Sequence, residues 1–402
     1  MPAGQVSPER SVAEALARWR TGNSAPVLRT ELLDVLAAVP DPRDRRGVRY
    51  SLMALLAIAI LAVSAGMRGY AGFACWAACA PEEVLASLGV RFRRPSEKTF
   101  RSVFARLDAT DLDHRLGVYF AALAAETTAE GGLLAVALDG KTLRGARRGA
   151  AAAPHLVAVF AHRARLVLGQ LAVAAKSNEI PSVRRLLRTL GQVGLLVTVD
   201  AMHTQKATAK LICEALKSHY LMIVKANQKT LLARITALPW TEVPVTHAEA
   251  GERGHGRVET RAVKTLTAVR GIGFPHAKQV VQITRERLEV STGVHATEIV
   301  YAICSLPFEH ALPATIAAWL RGHWGIENSL HWVRDVTFDE DRSTVRTGTG
   351  PQVMASLRNT AVNLHRLAGA TNIAHACRTA ALTTTAALDL LANPQIPSSR
   401  AC

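Results

Sequence analysis

Cysteine is scarce and unpatterned in this chain. Its six cysteines (Cys75, Cys79, Cys213, Cys304, Cys377 and Cys402) form no CxxC pair, and none stands beside histidines at zinc spacing. A chain of 402 residues needs no disulfide framework to hold a core, so a reducing, cytoplasmic setting is expected. Acid is also in deficit: 32 Asp and Glu stand against 48 Lys and Arg, for a formal charge of +16. That excess attracts polyanions, nucleic acid being the commonest large one, which points to association with the nucleoid. No signal peptide is legible, because the first residues are polar and the first Leu/Ala run comes late. That run, SLMALLAIAILAVSA at 51–65, falls short of the roughly 20 apolar residues that cross a bilayer. Hydrophobic all round, it reads as a helix buried in a bundle, and no membrane partner is expected. Internal repeats at solenoid or propeller spacing are missing as well.

What is present has two textures. Residues 1–125 read as helical, with Ala- and Leu-rich segments at 11–20, 28–39, 51–65, 81–89, 97–107 and 111–125 separated by Pro, Gly and Asp. Basic residues gather at two joints, DPRDRRGVR (41–49) and RFRRPSEKT (91–99), read either as phosphate contacts or as solvated surface. From about 130 the pattern changes to short apolar runs: LLAVALDG (133–140), two strands over 155–175, GLLVTVDAM (194–202) and YLMIVKANQ (220–228). An amphipathic helix at 182–191 and a helix at 204–219 separate the later strands, which describes a mixed sheet with helices packed on it. Residues 229–310 alternate as an antiparallel β insertion, helix returns at 313–346 and 352–369, and 385–402 reads as a disordered tail. The expected domains are a helical DNA-associated one over 1–125 and a catalytic one over 130–370.

Two aspartates, Asp139 and Asp200, end apolar strands, at the rim where sheet proteins collect ligands and metals. Hard divalent cations need oxygen ligands and keep several waters, so two or three carboxylates suffice. Either aspartate alone reads as the cap of a turn; the two together, on strands of one sheet, read equally as caps or as a site. The segment RGHWGIENSLHWVRDVTFDEDR (321–342) supplies further acids. If helical, it places Glu327, His331 and Arg334 with Asp335 on one face. A stripe of surface charge pairs has the same periodicity.

The motifs DGKTLRGA (139–146), HLVAVF, LGQLAVAAKSNEI (168–180), VTVDAMHTQ (197–205), KANQ (225–228), GHGRVETR (254–261) and RGHWGIENSLHWVRDVTFDED (321–341) occur in this order. Together they closely resemble the H-repeat-associated, ISAs-type branch of insertion-sequence DDE transposases, and the match runs from about residue 30 to 366. The resemblance implies an α/β, ribonuclease-H-like mixed sheet with a β-rich insertion before the last acid. It places the catalytic, metal-binding triad on Asp139, Asp200 and Glu327, holding two Mg²⁺ ions, with Mn²⁺ as a substitute. The implied reaction is cleavage and strand transfer at the element's ends. The implied partners are double-stranded DNA of the terminal inverted repeats, target DNA and a second copy of the chain. A DNA-binding protein descended from a transposase, without catalysis, is the alternative. The wider group's Tyr, Arg, Glu, Lys signature is incomplete: Leu320 and His323 stand before Glu327 at the Tyr and Arg positions, and Arg334 stands at the Lys position. Asp335 is an alternative acid. DNA contacts are expected from Lys141, Arg144, Lys225, Gln228, His323, Arg334 and Trp324, the last read also as a core residue; His203 reads equally as a site or a loop residue.

Overall fold

The computed structural model describes residues 32–391 apart from 92, 129–131, 150, 175–177, 193, 255, 269 and 384–389. The helix expected over 11–20 and most of the expected tail lie outside the described residues.

The apolar run forms α1 (Leu52–Ser64), started by Ser51, whose Oγ accepts from the Ala54 N–H at 3.1 Å. Almost every side chain along it is buried, as its lack of a polar face dictates. Among the described residues no helix is long and apolar enough to cross a membrane. Among the described residues, 32–37 are helical too, and α2 (Tyr70–Cys79), α3 (Glu82–Ser87), α4 (Glu97–Phe104) and α5 (Ala109–Glu126) follow.

The sheet holds nine strands in the order β3-β2-β1-β4-β5-β9-β8-β7-β6. β1 (Leu134–Thr142), β2 (His155–Ala161) and β3 (Val167–Ala172) are an antiparallel meander. After α6 (Glu179–Thr189), β4 (Leu195–Val199) joins β1 in parallel; after α7 (Lys206–Lys210), β5 (His219–Val224) joins β4 in parallel. The 229–310 segment opens with a helix, α8 (Lys229–Thr236), where strand was expected. Its strands β6 (His247–Gly254), β7 (Arg257–Thr267), β8 (Gln279–Glu289) and β9 (His295–Cys304) extend the same sheet, because β9 returns to pair with β5. The helical run α9 (Pro313–His323), a π-turn (Glu327–His331) and α10 (Trp332–Val336) follows, and then α11 (Gly350–Leu367) and α12 (Ile373–Leu382).

Strand alternation decides which face each residue joins. Leu134, Val136 and Leu138 of β1, with Leu195, Val197 and Val199 of β4, pack into one core shared with α1, α5 and α11. The residues between them point the other way: Ala137 packs with Ile326 and Leu330, and Leu196 with Ile316 and Ala317. Asp139 and Asp200 continue this second series. They therefore lie on the face covered by the α9–α10 run.

Candidate active site

β1 does not stop at its aspartate, as the Asp-Gly pair suggested. It continues to Thr142, because Gly140 and Lys141 still pair with Val157 and Leu156 of β2. What ends there is the parallel pairing with β4, whose last partners are Leu138 and Val199. Asp139, still on β1, and Asp200, just past the end of β4, each stand one residue beyond that pair, where neighbouring strands run about 4.8 Å apart. Asp200 is exposed and precedes a short 3₁₀ turn. Asp139 is half-buried, and burial raises its carboxyl pKa against the opposing charge of His331.

The third acid arrives from the helical run. Glu327 opens the π-turn, and the His331 Nδ1 lies 3.0 Å from its Oε2 and 3.4 Å from the Asp139 Oδ2. One ligand atom each from Asp139, Glu327 and His331 lie within 4.8 Å of one another; Asp200 falls outside this group. The hydrogen bond from His331 holds the Glu327 carboxyl below its usual pKa, with Lys141 adding to the effect. An open cleft of about 540 Å³ lies in front, lined by Lys141, Arg144, Arg147, Glu327, His331, Asp335 and Asp341. Lys141 Nζ meets Asp335 Oδ2 at 2.5 Å, and Arg144 meets Asp341 at 3.6 Å.

With this geometry in place, the comparisons fit one reading. The family described as "Transposase DDE domain" matches residues 130–364, and a "DDE_Tnp_1-associated" domain matches 33–120. The chain belongs to the DDE transposase family. Its relatives include the putative transposase YncI of Escherichia coli O157:H7, 32% identical over 250 residues that cover 58% of this chain and 61% of that protein. The H repeat-associated putative transposase YhhI of Escherichia coli K12 is 31% identical over 245 residues, covering 57% of this chain and 63% of that one. The chain thus spans about three fifths of the length of these relatives. A looser likeness, to the piggyBac transposase in a synaptic complex with hairpin DNA, covers 94% of this chain and 84% of that one at 10% identity and a TM-score of 0.41. It carries no weight for fold or chemistry.

The DDE domain also contains a hub that the sequence reading did not assign. Glu179, at the start of α6, meets His155 Nε2 at 2.5 Å and His203 Nε2 at 3.2 Å, and His155 Nδ1 reaches the Thr142 hydroxyl at 2.8 Å. The hydrogen bonds from His155 and then His203 hold the Glu179 carboxyl down at about 2. This ties the chain after the first aspartate to the turn after the second. His203, equally a site or loop residue from sequence, is buried here against Glu179. The hub sits directly over Gly140: a Cβ there would lie 2.5 Å from His155 Nε2 and 2.6 Å from Glu179 Oε1, so a larger residue would have to displace those side chains. The signal was available, since His155 opens HLVAVF and Glu179 lies in KSNEI, but neither has strand or helix periodicity to mark it.

Several expected DNA contacts stand elsewhere. Arg334 is buried, pairing through Nη2 with Glu340 at 2.8 Å and through Nη1 with Asn359 at 3.3 Å. The cause is the π-turn. One extra residue in a turn delays everything after it by about 100°, so Asp335 takes the cleft position that an unbroken helix gives Arg334. His323 is buried too: its Nδ1 lies 3.1 Å from the Thr198 hydroxyl, which also meets His162 Nε2 at 3.0 Å. That hydroxyl's one proton goes to the Val136 carbonyl, so both rings donate to it and stay neutral, burial lowering His323 and bringing His162 to about 3. Leu320 is half-buried, packed against the cluster that holds Leu196. Trp324 is exposed rather than core, with the Arg285 guanidinium 3.9 Å above its ring. Lys225 is exposed just past β5, and Gln228 is half-buried, donating to the Thr204 carbonyl at 2.8 Å.

Proposed function

We propose that this chain is a DDE transposase that cuts DNA at the ends of an insertion sequence and joins the freed 3′ ends to target DNA. The observation that carries the reading is the placement of Asp139 and Asp200 side by side at the end of parallel pairing, with Glu327 brought to Asp139 across the covering helix. The strand order 3-2-1-4-5, with a meander followed by two parallel additions, supports a ribonuclease-H-like domain extended by the β6–β9 strands. On this reading residues 130–370 are the catalytic domain, and the helices before them are its DNA-associated partner.

The three carboxylates are hard oxygen donors, Glu327 lining the open cleft, Asp139 grouped with it and Asp200 beside Asp139 at the end of the parallel pairing, a set that fits divalent cations, two Mg²⁺ or Mn²⁺ ions on the family's pattern. Such ions supply Lewis acidity to the attacking water or 3′-hydroxyl and to the leaving oxygen. Asp139 is held by the pairing of β1 with β2, and Asp200 directly follows the buried strand β4. Glu327 is adjustable, its side chain being 65% exposed. Lys141 and Arg144 border the same cleft, and phosphate oxygens would compete there with Asp335 and Asp341 for them. Trp324 and Lys225 offer an aromatic face and a cation further out. Handling two element ends in one event calls for a homodimer in the synaptic complex, acting on DNA in the cytoplasm and nucleoid. The test is incubation of purified protein with a plasmid carrying both element ends, in Mg²⁺ or Mn²⁺ and then in EDTA. Metal-dependent nicks at the repeat boundaries are expected; tight binding without a cut in any metal contradicts catalysis.

A further inference from the structure

Around an octahedral divalent ion, oxygen and nitrogen ligands at roughly 2.1 Å stand about 3 Å from their neighbours. The His331 Nδ1 lies at that separation from two carboxylates on different elements, 3.0 Å from Glu327 Oε2 and 3.4 Å from Asp139 Oδ2. Their ligand atoms form a compact triangle, all within 4.8 Å. The imidazole is also fixed as a ligand has to be: His331 is 3% exposed. Its π-turn is pinned from behind, where Arg366 donates to the Ser329 carbonyl and Arg165 Nη2 donates to the Ser329 hydroxyl at 2.8 Å. π-turns of this kind gather at functional positions, and here the widened turn aims both Glu327 and His331 at Asp139.

We propose that His331 Nδ1 is itself a metal ligand, giving up to solvent the proton it shares with Glu327 when the ion binds and keeping the neutral ring's proton on Nε2, so that the ion between Asp139 and Glu327 meets two oxygens and one nitrogen. The inference rests on reading the cleft as a metal centre. It goes further by changing which metal the centre prefers. Imidazole nitrogen binds first-row transition dications well, whereas Mg²⁺ favours an all-oxygen shell. The O,O,N face therefore selects Mn²⁺ and its later neighbours over Mg²⁺.

The test needs no DNA. The full chain is titrated with Mn²⁺ alone, and the bound ion is examined by electron spin echo envelope modulation. Nitrogen modulation typical of a coordinated imidazole is expected, altered on ¹⁵N-histidine labelling of the unmutated protein and absent in His331→Gln. Mn²⁺ affinity in that variant should fall roughly tenfold or more, and the preference for Mn²⁺ over Mg²⁺ should shrink with it. Because labelling reads the ligand without a substitution, a variant that fails to fold does not remove the test. Bound Mn²⁺ without nitrogen modulation, or modulation that survives in His331→Gln, overturns the assignment and leaves a carboxylate centre. A chain that binds no Mn²⁺ overturns the metal-centre reading itself.

Discussion

Glutamine in place of Glu340 would leave two buried guanidinium groups facing an uncharged partner. Glu340 is 1% exposed and lies 2.8 Å from both Arg334 Nη2 and Arg358 Nη1. Burial pushes its carboxyl up, but the two arginines outweigh burial and hold it below the usual range. Arg358 continues to the Arg68 carbonyl at 3.3 Å, and Arg68 pairs with Asp339 at 3.0 Å. The pair thus fastens the end of the helical run to the helices before the sheet. Removing one partner of a buried ion pair costs about 3–5 kcal/mol, so Glu340→Gln should lower the unfolding free energy by that order. A change below about 1 kcal/mol in urea unfolding would contradict this account. Arg334 is also the residue at which sequence reasoning failed most clearly. Counting helical positions assumes an unbroken α-helix, and nothing in ENSLH marks the extra residue of a π-turn.

At the scale of elements, Asp113 is the polar centre that joins α5, β3 and α11. Ser356 Oγ reaches its Oδ1 at 2.5 Å, Gln170 Nε2 donates to the same oxygen at 2.9 Å, and Gln352 Nε2 donates to Oδ2 at 2.8 Å. Burial nevertheless raises its carboxyl to about 7, with these hydrogen bonds only partly opposing. The folded value lies above the unfolded one. The group's contribution to stability is therefore complete below about pH 4 and is lost as pH rises through about 7. Asp113→Asn, which cannot ionise, should gain stability relative to the parent as pH rises from 4 to 7, on the order of a few kcal/mol, and keep that gain above. Urea midpoints at pH 5 and pH 8.5 check it; a difference independent of pH would refute the assignment. The elements themselves were largely legible. Apolar runs without a polar face gave α1 and the central strands, and β-branched alternation gave β7, β8 and β9. Pairing partners were not, because the return of β9 to β5 depends on contacts far apart in sequence. The Asp-Gly pair looked like a strand end for a similar reason: the neighbour that stops at Asp139 is β4, not β1 itself.

At the scale of the molecule, a formal charge of +16 predicts that DNA binding weakens steeply with salt. Each phosphate contact contributes roughly −0.9 to the slope of log K against log salt. Arg144, whose side chain is 79% exposed at the cleft, should account for about one such contact. Arg144→Ala should therefore reduce the slope by about 1 in a fluorescence anisotropy titration, across unrelated DNA sequences alike. An unchanged slope would take Arg144 off the DNA path. The acidic site itself was readable only in part: two aspartates closing apolar strands were visible, but their adjacency and the approach of Glu327 depend on the assembled sheet and its covering helix.

The most direct test of the central claim is end cleavage by Asp200→Asn beside the parent chain. Asp200 is exposed, so the substitution should leave the unfolding free energy within about 0.5 kcal/mol of the parent's. On a plasmid carrying both element ends, with Mg²⁺ or Mn²⁺, the parent should nick at the repeat boundaries and the variant should bind the same DNA without cutting it. Cleavage by the variant at the parent's rate would contradict the acidic site proposed here.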